Sequence, residues 1–442
     1  MLIRDTADFE RWFAERCAAH SFRVEQVPLD ELDGWRTDPE TGNLHHRTGR
    51  FFSVEGLRIT ATGPVARSWA QPVIRQTEHG VLGILLQRHE GVPHVLLQAK
   101  TEPGNINAVQ LSPTVQATVS NYTRVHRGSA VRYLEHFLRP RPGTVRYDAL
   151  QSEQGSWFLA KRNRNMIVEL PPEQAVDVHD DYCWVPLPVL PDLLRVPHLV
   201  NMDTRTVLAG LPRPGPPPRK GAPGKPLHTW TDLQHHLTRS KLRHRVERCV
   251  VPLREADGWH REDGEIRRDD GRFFRIIGVE VSASSREVTS WAQPMLAPAS
   301  QGVVAFLSKE IGGVRHLLVQ VRYEAGTADV CELAPTVQCA PGNLPVSGPR
   351  PPFLDTVLQA PTERVLFDTV HSEEGGRFHH AANRYVVVEA AGLPLDVPET
   401  HMWVSVDQLT RAAQLGGMVN VEARCLLTCV HTLPGHGQEA MT

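Results

Sequence analysis

Neither sign of charge dominates this chain. Lysine plus arginine number 48 and aspartate plus glutamate 50, for a net charge of −2 and a pI near 6.9. That balance supplies no basic field to neutralise phosphates, which argues against a nucleic-acid binder. Long apolar runs are missing too. With no stretch of about 18 apolar residues, no transmembrane helix and no membrane partner are expected. The segment Met1 to Glu10 is charged and has no apolar signal core, so the chain reads as cytosolic. Cysteine is scarce: Cys17, Cys183, Cys249, Cys331, Cys339, Cys425 and Cys429, with no Cys-x-x-Cys pair. An odd number at those spacings fits neither a zinc knuckle nor a secreted disulfide framework, which leaves reduced, mostly buried thiols.

What the chain does contain is a repeat. Gly49-Arg-Phe-Phe52 returns as Gly271-Arg-Phe-Phe274, Ser68-Trp-Ala-Gln-Pro72 as Ser290-Trp-Ala-Gln-Pro294, and Pro113-Thr-Val-Gln116 as Pro335-Thr-Val-Gln338, each 222 positions on. Ser152-Glu153 and Asn163-Arg164 return as Ser372-Glu373 and Asn383-Arg384 at 220, and Val200-Asn201 as Val419-Asn420 at 219. Such a period is far too long for a solenoid, so one whole domain is duplicated. Between the copies, Leu211 to Pro226 is dense in proline and glycine and reads as a stiff, extended connector. The expected division is 1–210, a linker at 211–226, and 227–442. An apolar content of 40% lets each copy bury a core.

Within the first copy, Asp5 to Cys17 reads as a helix. Thr6 or Asp8 caps it, and Phe9, Trp12 and Phe13 share a face. Phe51 to Ala61 alternates and reads as a strand. Gly80 to Leu86 has the length of a buried strand, and Glu90-Gly91 turns it into a second strand, Pro93 to Lys100. Gly128 to Leu138 reads as a helix with Val131, Leu134 and Leu138 inward. Met166 to Leu170 is a strand, and a helix lies near Pro191 to Leu194. The second copy repeats the order, which gives an α+β (α/β/α layered) domain in tandem. His94 and His316 sit in strands as core histidines, and Trp69 and Trp291 read as core. The pairs His45-His46 and His379-His380 have no carboxylate or cysteine at ligand spacing, so no metal site is expected.

The segment Leu111 to Gly128 stands apart. Asn121, Tyr122, Thr123, Arg124 and His126 fall within six positions beside almost no large apolar residue, so the stretch reads as the lining of a polar pocket. Where the first copy has Tyr122-Thr123 and Lys161-Arg162, the second has Leu344-Pro345 and Ala381-Ala382. Chemistry is therefore expected in the first copy.

The order of hairpin, Leu-x-Pro turn and helix is similar to the Nudix fold. The Arg-Glu-x-x-Glu-Glu-x-Gly run of Nudix hydrolases is missing; the helix expected at 128–138 offers only Glu135. Over nearly its whole length the chain more closely resembles the NDP-hexose 2,3-dehydratases of deoxysugar biosynthesis. The strings that carry this are Leu111 to His126, Ser152 to Phe158, Lys161 to Asn165, Leu333 to Asn343, Glu374 to Phe378 and Asn383 to Tyr385. The resemblance implies tandem duplicated Nudix-like domains, a homodimer, and a dTDP-4-keto-6-deoxyglucose substrate. It also implies one dTDP-sugar pocket per repeat, with one of the two doing chemistry. The reaction needs no redox cofactor: the 4-keto group acidifies the C3 proton, a base removes it, and the C2 hydroxyl leaves as water. The labile diketo product implies a downstream 3-ketoreductase. A non-catalytic nucleotide-sugar binding protein and a Nudix-type hydrolase are the competing readings.

The catalytic candidates are Tyr122 and His126 as base and Lys161 facing the 4-keto oxygen. Tyr122 equally suits a pocket wall, and His126 a surface loop. The candidates for holding the substrate are Trp35, Thr114, Val115, Gln116, Ala117, Thr118, Asn121, Arg124, Ser152 and Arg164 in the first copy. In the second they are Trp259, Gln338, Asn343, Ser372, Arg377, Asn383, Arg384 and Tyr385. Trp35 and Trp259 follow matching Asp-Gly turns and suit stacking on thymine. Arg164 suits the diphosphate, because a guanidinium fork matches phosphate oxygens.

Overall fold

The structure is a computed structural model, and it describes residues 1–62, 67–118, 130–212, 224–284, 288–345 and 350–434. The architecture is mixed α+β, mostly strands, in two similar halves. Each half carries one seven-stranded sheet. In the first its path runs Val145–Ser152, Arg162–Leu170, Gly80–His89, Val92–Thr101, Tyr182–Pro186, and Val109–Ser112 and Val115–Ala117 pair onto the two central strands. Gly80–His89 lies parallel to Arg162–Leu170 and antiparallel to Val92–Thr101. The expected turn is there, with Glu90 at φ 52° and Gly91 at φ 84°. Alternate residues of this apolar strand enter different cores. Leu82, Ile84 and Leu86 face one, Val81 and Leu85 the other, so a strand covered on both faces has no polar side to show.

The first helix runs Thr6–Ala19, and its cap is Asp5 rather than Thr6 or Asp8: the Asp5 carboxylate accepts the Asp8 N–H at 2.9 Å. Of the helix expected at 128–138, residues 128–129 lie outside the described residues and only Glu135–Leu138 is helical among the rest. Leu138 is exposed; Phe137 fills the core instead, against Gly83, where a Cβ would come within 2.5 Å of its ring. Two helices went unread, Met202–Leu208 and Val421–Val430. Every residue in both is buried, so neither shows an amphipathic stripe. They pack on each other at the pseudo-twofold seam. There Arg205 Nη2 donates to the Ser372 carbonyl and Arg424 Nη2 to the Ser152 carbonyl, each at 2.6 Å.

The halves also exchange strands. Phe22–Val27 of the first copy pairs antiparallel with Phe274–Ala283 of the second (Phe22 opposite Ala283). Arg245–Val251 of the second pairs with Ser53–Thr62 of the first. Each five-stranded sheet is thus made of both copies, and the core beneath them mixes Trp35, Phe52 and Phe158 with Trp259, Phe274 and Phe378. The expected division of the chain at 211–226, of which 213–223 lies outside the described residues, separates two repeats in sequence that do not separate in space.

Candidate active site

The exchange places second-copy segments over the first copy's large sheet and leaves a cavity of about 460 Å³ between them. Its floor is Gly80, Leu82, Gln116, Ala117 and Thr118. Trp35, His46, Phe51 and Phe52 form one wall, and Trp291, Ala292, Gln293, Glu374, Gly376 and Arg377 of the second copy form the other. Trp35 fastens the walls together, its indole N–H donating to the Ala292 carbonyl at 2.8 Å. The Ser-Trp-Ala-Gln-Pro string explains itself here. Trp291, half-buried, packs against the core of Ile277, Val279 and Met295 as expected and also lines the cavity, donating to Gln293 Oε1 at 3.1 Å. Gln293 Nε2 in turn donates to the Gly376 carbonyl at 2.6 Å and holds that loop in place. Glycine permits the close approach: Gly104 N–H donates to the Gly375 carbonyl at 2.7 Å, and a Cβ on Gly104 would sit 1.7 Å from the Phe378 oxygen.

Besides the exposed Asp33, four carboxylates line this cavity, Glu102, Glu153, Asp203 and Glu374, with Lys100, Lys161 and Arg377 among them. They come from four separate segments, which is why a search for a helix-borne acidic run missed them. Among the described residues no three His, Cys, Asp or Glu side chains converge as a metal-binding group. Glu102 is held by Gln116 Nε2 at 2.8 Å and lies 3.6 Å from Lys100 Nζ. Glu153 accepts from Asn163 Nδ2 at 2.8 Å, while its second oxygen has no partner among the described residues. Burial raises the Glu153 carboxyl, against the pull of Arg424. It raises Asp203 further, with Glu153, Glu374 and Glu102 adding to the rise. Glu374 goes up to about 7, through burial and the nearby Glu102; both its oxygens accept backbone N–H groups, from Gly376 and Arg377 at 2.8 Å. Lys161 is buried and donates to the Glu78 carbonyl. Desolvation brings its ammonium down to about 8, against Glu153, Glu78 and Glu374, which oppose the fall. Proton donors and acceptors near neutrality are therefore gathered round one cavity.

The predicted residues divide accordingly. Lys161, Trp35, Gln116, Ala117, Thr118 and, from the far copy, Arg377 line the cavity. Asn121, Tyr122, Arg124 and His126 lie outside the described residues. Thr114 and Val115 are core pieces: the Thr114 hydroxyl donates to the Leu96 carbonyl at 2.5 Å, and Val115 is buried under the sheet. Ser152 and Ser372 are buried in the seam, engaged with Glu332 and with Gln110 and His198, rather than in the cavity. Arg164 and Arg384 spend their guanidinium forks on Asp148 and Asp368 at 2.6–2.9 Å. Asn343 sits in a short turn, its side chain accepting the Phe273 N–H at 2.9 Å. His94 and His316 are core histidines bonded to the Val92 and Val314 carbonyls, as expected.

In the second half Trp259 bonds the Ala70 carbonyl, Gln338 bonds Glu324, and Asn383 and Tyr385 bond Glu373, so the chemistry there is different. Glu373, the counterpart of Glu153, is filled by Asn383 Nδ2 and the Tyr385 hydroxyl, both at 2.7 Å, and by Gln154 Nε2 at 2.9 Å. Ala381 stands where the first half has Lys161, and Gln154 where the second half has Glu374. Sequence reasoning missed Glu102, Glu153, Asp203 and Glu374 as site groups. The recurrence of the first three as Glu324, Glu373 and Glu422 at the repeat spacing was the available signal.

The sequence that builds this cavity matches a known family. The NDP-hexose 2,3-dehydratase profile matches residues 6–211 and again 230–430, and the chain belongs to that family. It is 62% identical, over 99% of both chains, to a dTDP-4-dehydro-6-deoxy-α-D-glucopyranose 2,3-dehydratase of Streptomyces violaceoruber. Relatives of the same description from Amycolatopsis orientalis (46% identity, 96% of this chain and 90% of the relative) and Saccharopolyspora spinosa (45%, 97% and 92%) are also similar along their length.

Proposed function

We propose that the first-half cavity binds dTDP-4-keto-6-deoxy-D-glucose and eliminates its C2 hydroxyl, giving the 3,4-diketo-2,6-dideoxy sugar. The activity of the three relatives supports the substrate and the reaction. The observation that carries the site is Lys161. It is a buried cation among carboxylates, in one half only, with its pKa near 8. A protonated Lys161 placed at the 4-keto oxygen stabilises the enolate that forms when C3 loses its proton. The enolate then expels the C2 oxygen, which leaves as water once protonated. The resulting 3-hydroxy-2-ene tautomerises to the diketone. Tyr122 and His126, next in the chain after the cavity-lining Thr118, stay in this reading as further groups for the sugar. Trp35 and Trp291 offer aromatic faces to the thymine.

Each half reads as a Nudix-like unit, on the strength of its mixed sheet with a parallel central pair. The family resemblance supports a homodimer and a 3-ketoreductase that consumes the product. Incubation with the keto-sugar, with and without EDTA, tests the reaction. Loss of one water by mass, trapped by a ketoreductase with NADPH, is expected in both cases. Release of dTMP would indicate hydrolysis, and binding without turnover a non-catalytic module.

A further inference from the structure

One wall of the cavity that holds Lys161 is not built by the half that carries Lys161. The loop Glu374-Gly375-Gly376-Arg377 belongs to the second copy, yet it lines the first copy's cavity. Its counterpart, Gln154-Gly155-Ser156-Trp157, crosses the other way, where Gln154 closes off Glu373. Of the five cavity carboxylates, four (Asp33, Glu102, Glu153 and Asp203) recur as carboxylates in the other half. Glu374 alone is replaced by a neutral group.

Resting on the dehydratase reading above, we infer that Glu374 is the proton carrier of the elimination, a catalytic residue lent to the first site by the second repeat. In a gluco-configured ring the C3 hydrogen and the C2 hydroxyl lie on the same face. One group on that face can therefore serve both steps. The Glu374 carboxylate takes the C3 proton, and the C–H pair becomes the C3–C4 double bond of the enolate, whose oxygen Lys161 holds. The carbonyl re-forms, the pair moves to C2–C3, and the C2–O bond breaks. The departing oxygen takes the same proton from the Glu374 carboxylic acid and leaves as water, and the carboxylate is restored. Nothing is oxidised or reduced by an outside reagent.

The geometry suits a shuttle. Two backbone N–H groups fix both oxygens of Glu374 without holding its proton. Burial with a nearby carboxylate keeps the group close to half-protonated at neutral pH, where giving and taking cost the same. Glu153 is the weaker candidate, because the second half keeps it as Glu373 while tying it off.

The test uses the full-length protein in D2O with Glu374→Gln and Glu374→Asp. It follows deuterium entry at C3 of unreacted substrate, water loss, and dTDP binding by calorimetry. Glu374→Gln is expected to slow both C3 exchange and water loss by about 100-fold or more. Its dTDP affinity and melting temperature stay close to wild type, and Glu374→Asp recovers part of both rates. Normal C3 exchange with water loss abolished would overturn the shuttle, since another group would then be the base. Water loss within about threefold of wild type would overturn any catalytic role. Loss of dTDP binding or of the folded state in both variants would make Glu374 structural and also count against the inference. If the wild-type protein itself releases no water from this sugar, it is the dehydratase reading that fails, whatever the variants do.

Discussion

The two halves share a scaffold and differ in what the scaffold presents. Both keep the glutamate after the central hairpin, Glu102 and Glu324, held by the paired amides Gln116 and Gln338 at 2.8 and 3.1 Å. Both keep Glu153 or Glu373 under an asparagine, and both tie a loop tryptophan across the seam, Trp35 to Ala292 and Trp259 to Ala70. The differences concentrate on one carboxylate. Around Glu373, Tyr385 and Gln154 supply neutral donors that leave it nothing to do. Around Glu153 the corresponding residues are Asn165, which turns to Thr206, and Glu374, while Lys161 replaces Ala381. A buried carboxylate whose hydrogen bonds are complete is structural, and one left open beside a lysine and a second acid sets the charge balance in which that acid, Glu374, carries the proton. The first arrangement stands in one half and the second in the other.

The comparison can be broken most sharply at Lys161. Converting it to the residue of the other half, Lys161→Ala, is expected to lower kcat by about 100- to 1,000-fold, the range for removing one oxyanion donor. Steady-state water loss measures this. Arg322→Ala, at the counterpart of Lys100, is expected to leave kcat within about threefold, the size of effect for a group outside the reacting site.

Next in size is the seam. Gly104→Ala forces its new Cβ against the Phe378 carbonyl and spreads the loops that bear Glu102 and Glu374. It is expected to cost about 1–3 kcal/mol in stability and a larger share of activity. Gly326→Ala meets the Phe158 carbonyl at 1.8 Å in the other half. It is expected to lower the melting temperature by a similar amount with a smaller loss of kcat. Thermal melts beside rates separate the two.

The pH profile gives a subtler contrast. Glu374 must be ionised to accept a proton, and its carboxyl is raised to about 7, so the rate climbs through that pH. Lys161 must be charged, and its ammonium is lowered to about 8, so the rate falls above it. A narrow bell follows, and Lys161→Arg is expected to move the alkaline limb upward, because a guanidinium does not titrate in this range. The smallest effects belong to the tryptophans. Trp35→Phe and Trp259→Phe each remove one indole hydrogen bond across the seam, worth about 1 kcal/mol; the first also raises KM for the nucleotide sugar.

Much of this was legible in the chain. The duplication, the hairpin and the Lys161–Ala381 difference were read directly, since aligning the copies shows where one has lost a charge. The same alignment at 220 positions holds the Glu374–Gln154 and Tyr385–Asn165 differences. They passed unnoticed because Glu374 lies in the second copy, where no chemistry was expected. Which half a loop serves is not a local property. Phe22–Val27 can pair with Ser53–Thr62 or with its repeat Phe274–Ala283, two strands of the same ancestry, and only the packing of whole sheets selects the second. The helices at the seam were hidden for another reason, having no exposed face to give them a period.

The central claim is that proton chemistry resides in the first-half cavity and not at its counterpart. Measuring kcat for Glu374→Gln beside Glu373→Gln, at a temperature where both are folded, tests it most directly. The account predicts a collapse of about 100-fold or more for the first and a change within about threefold for the second. Equal losses, or a greater loss from Glu373→Gln, would contradict it.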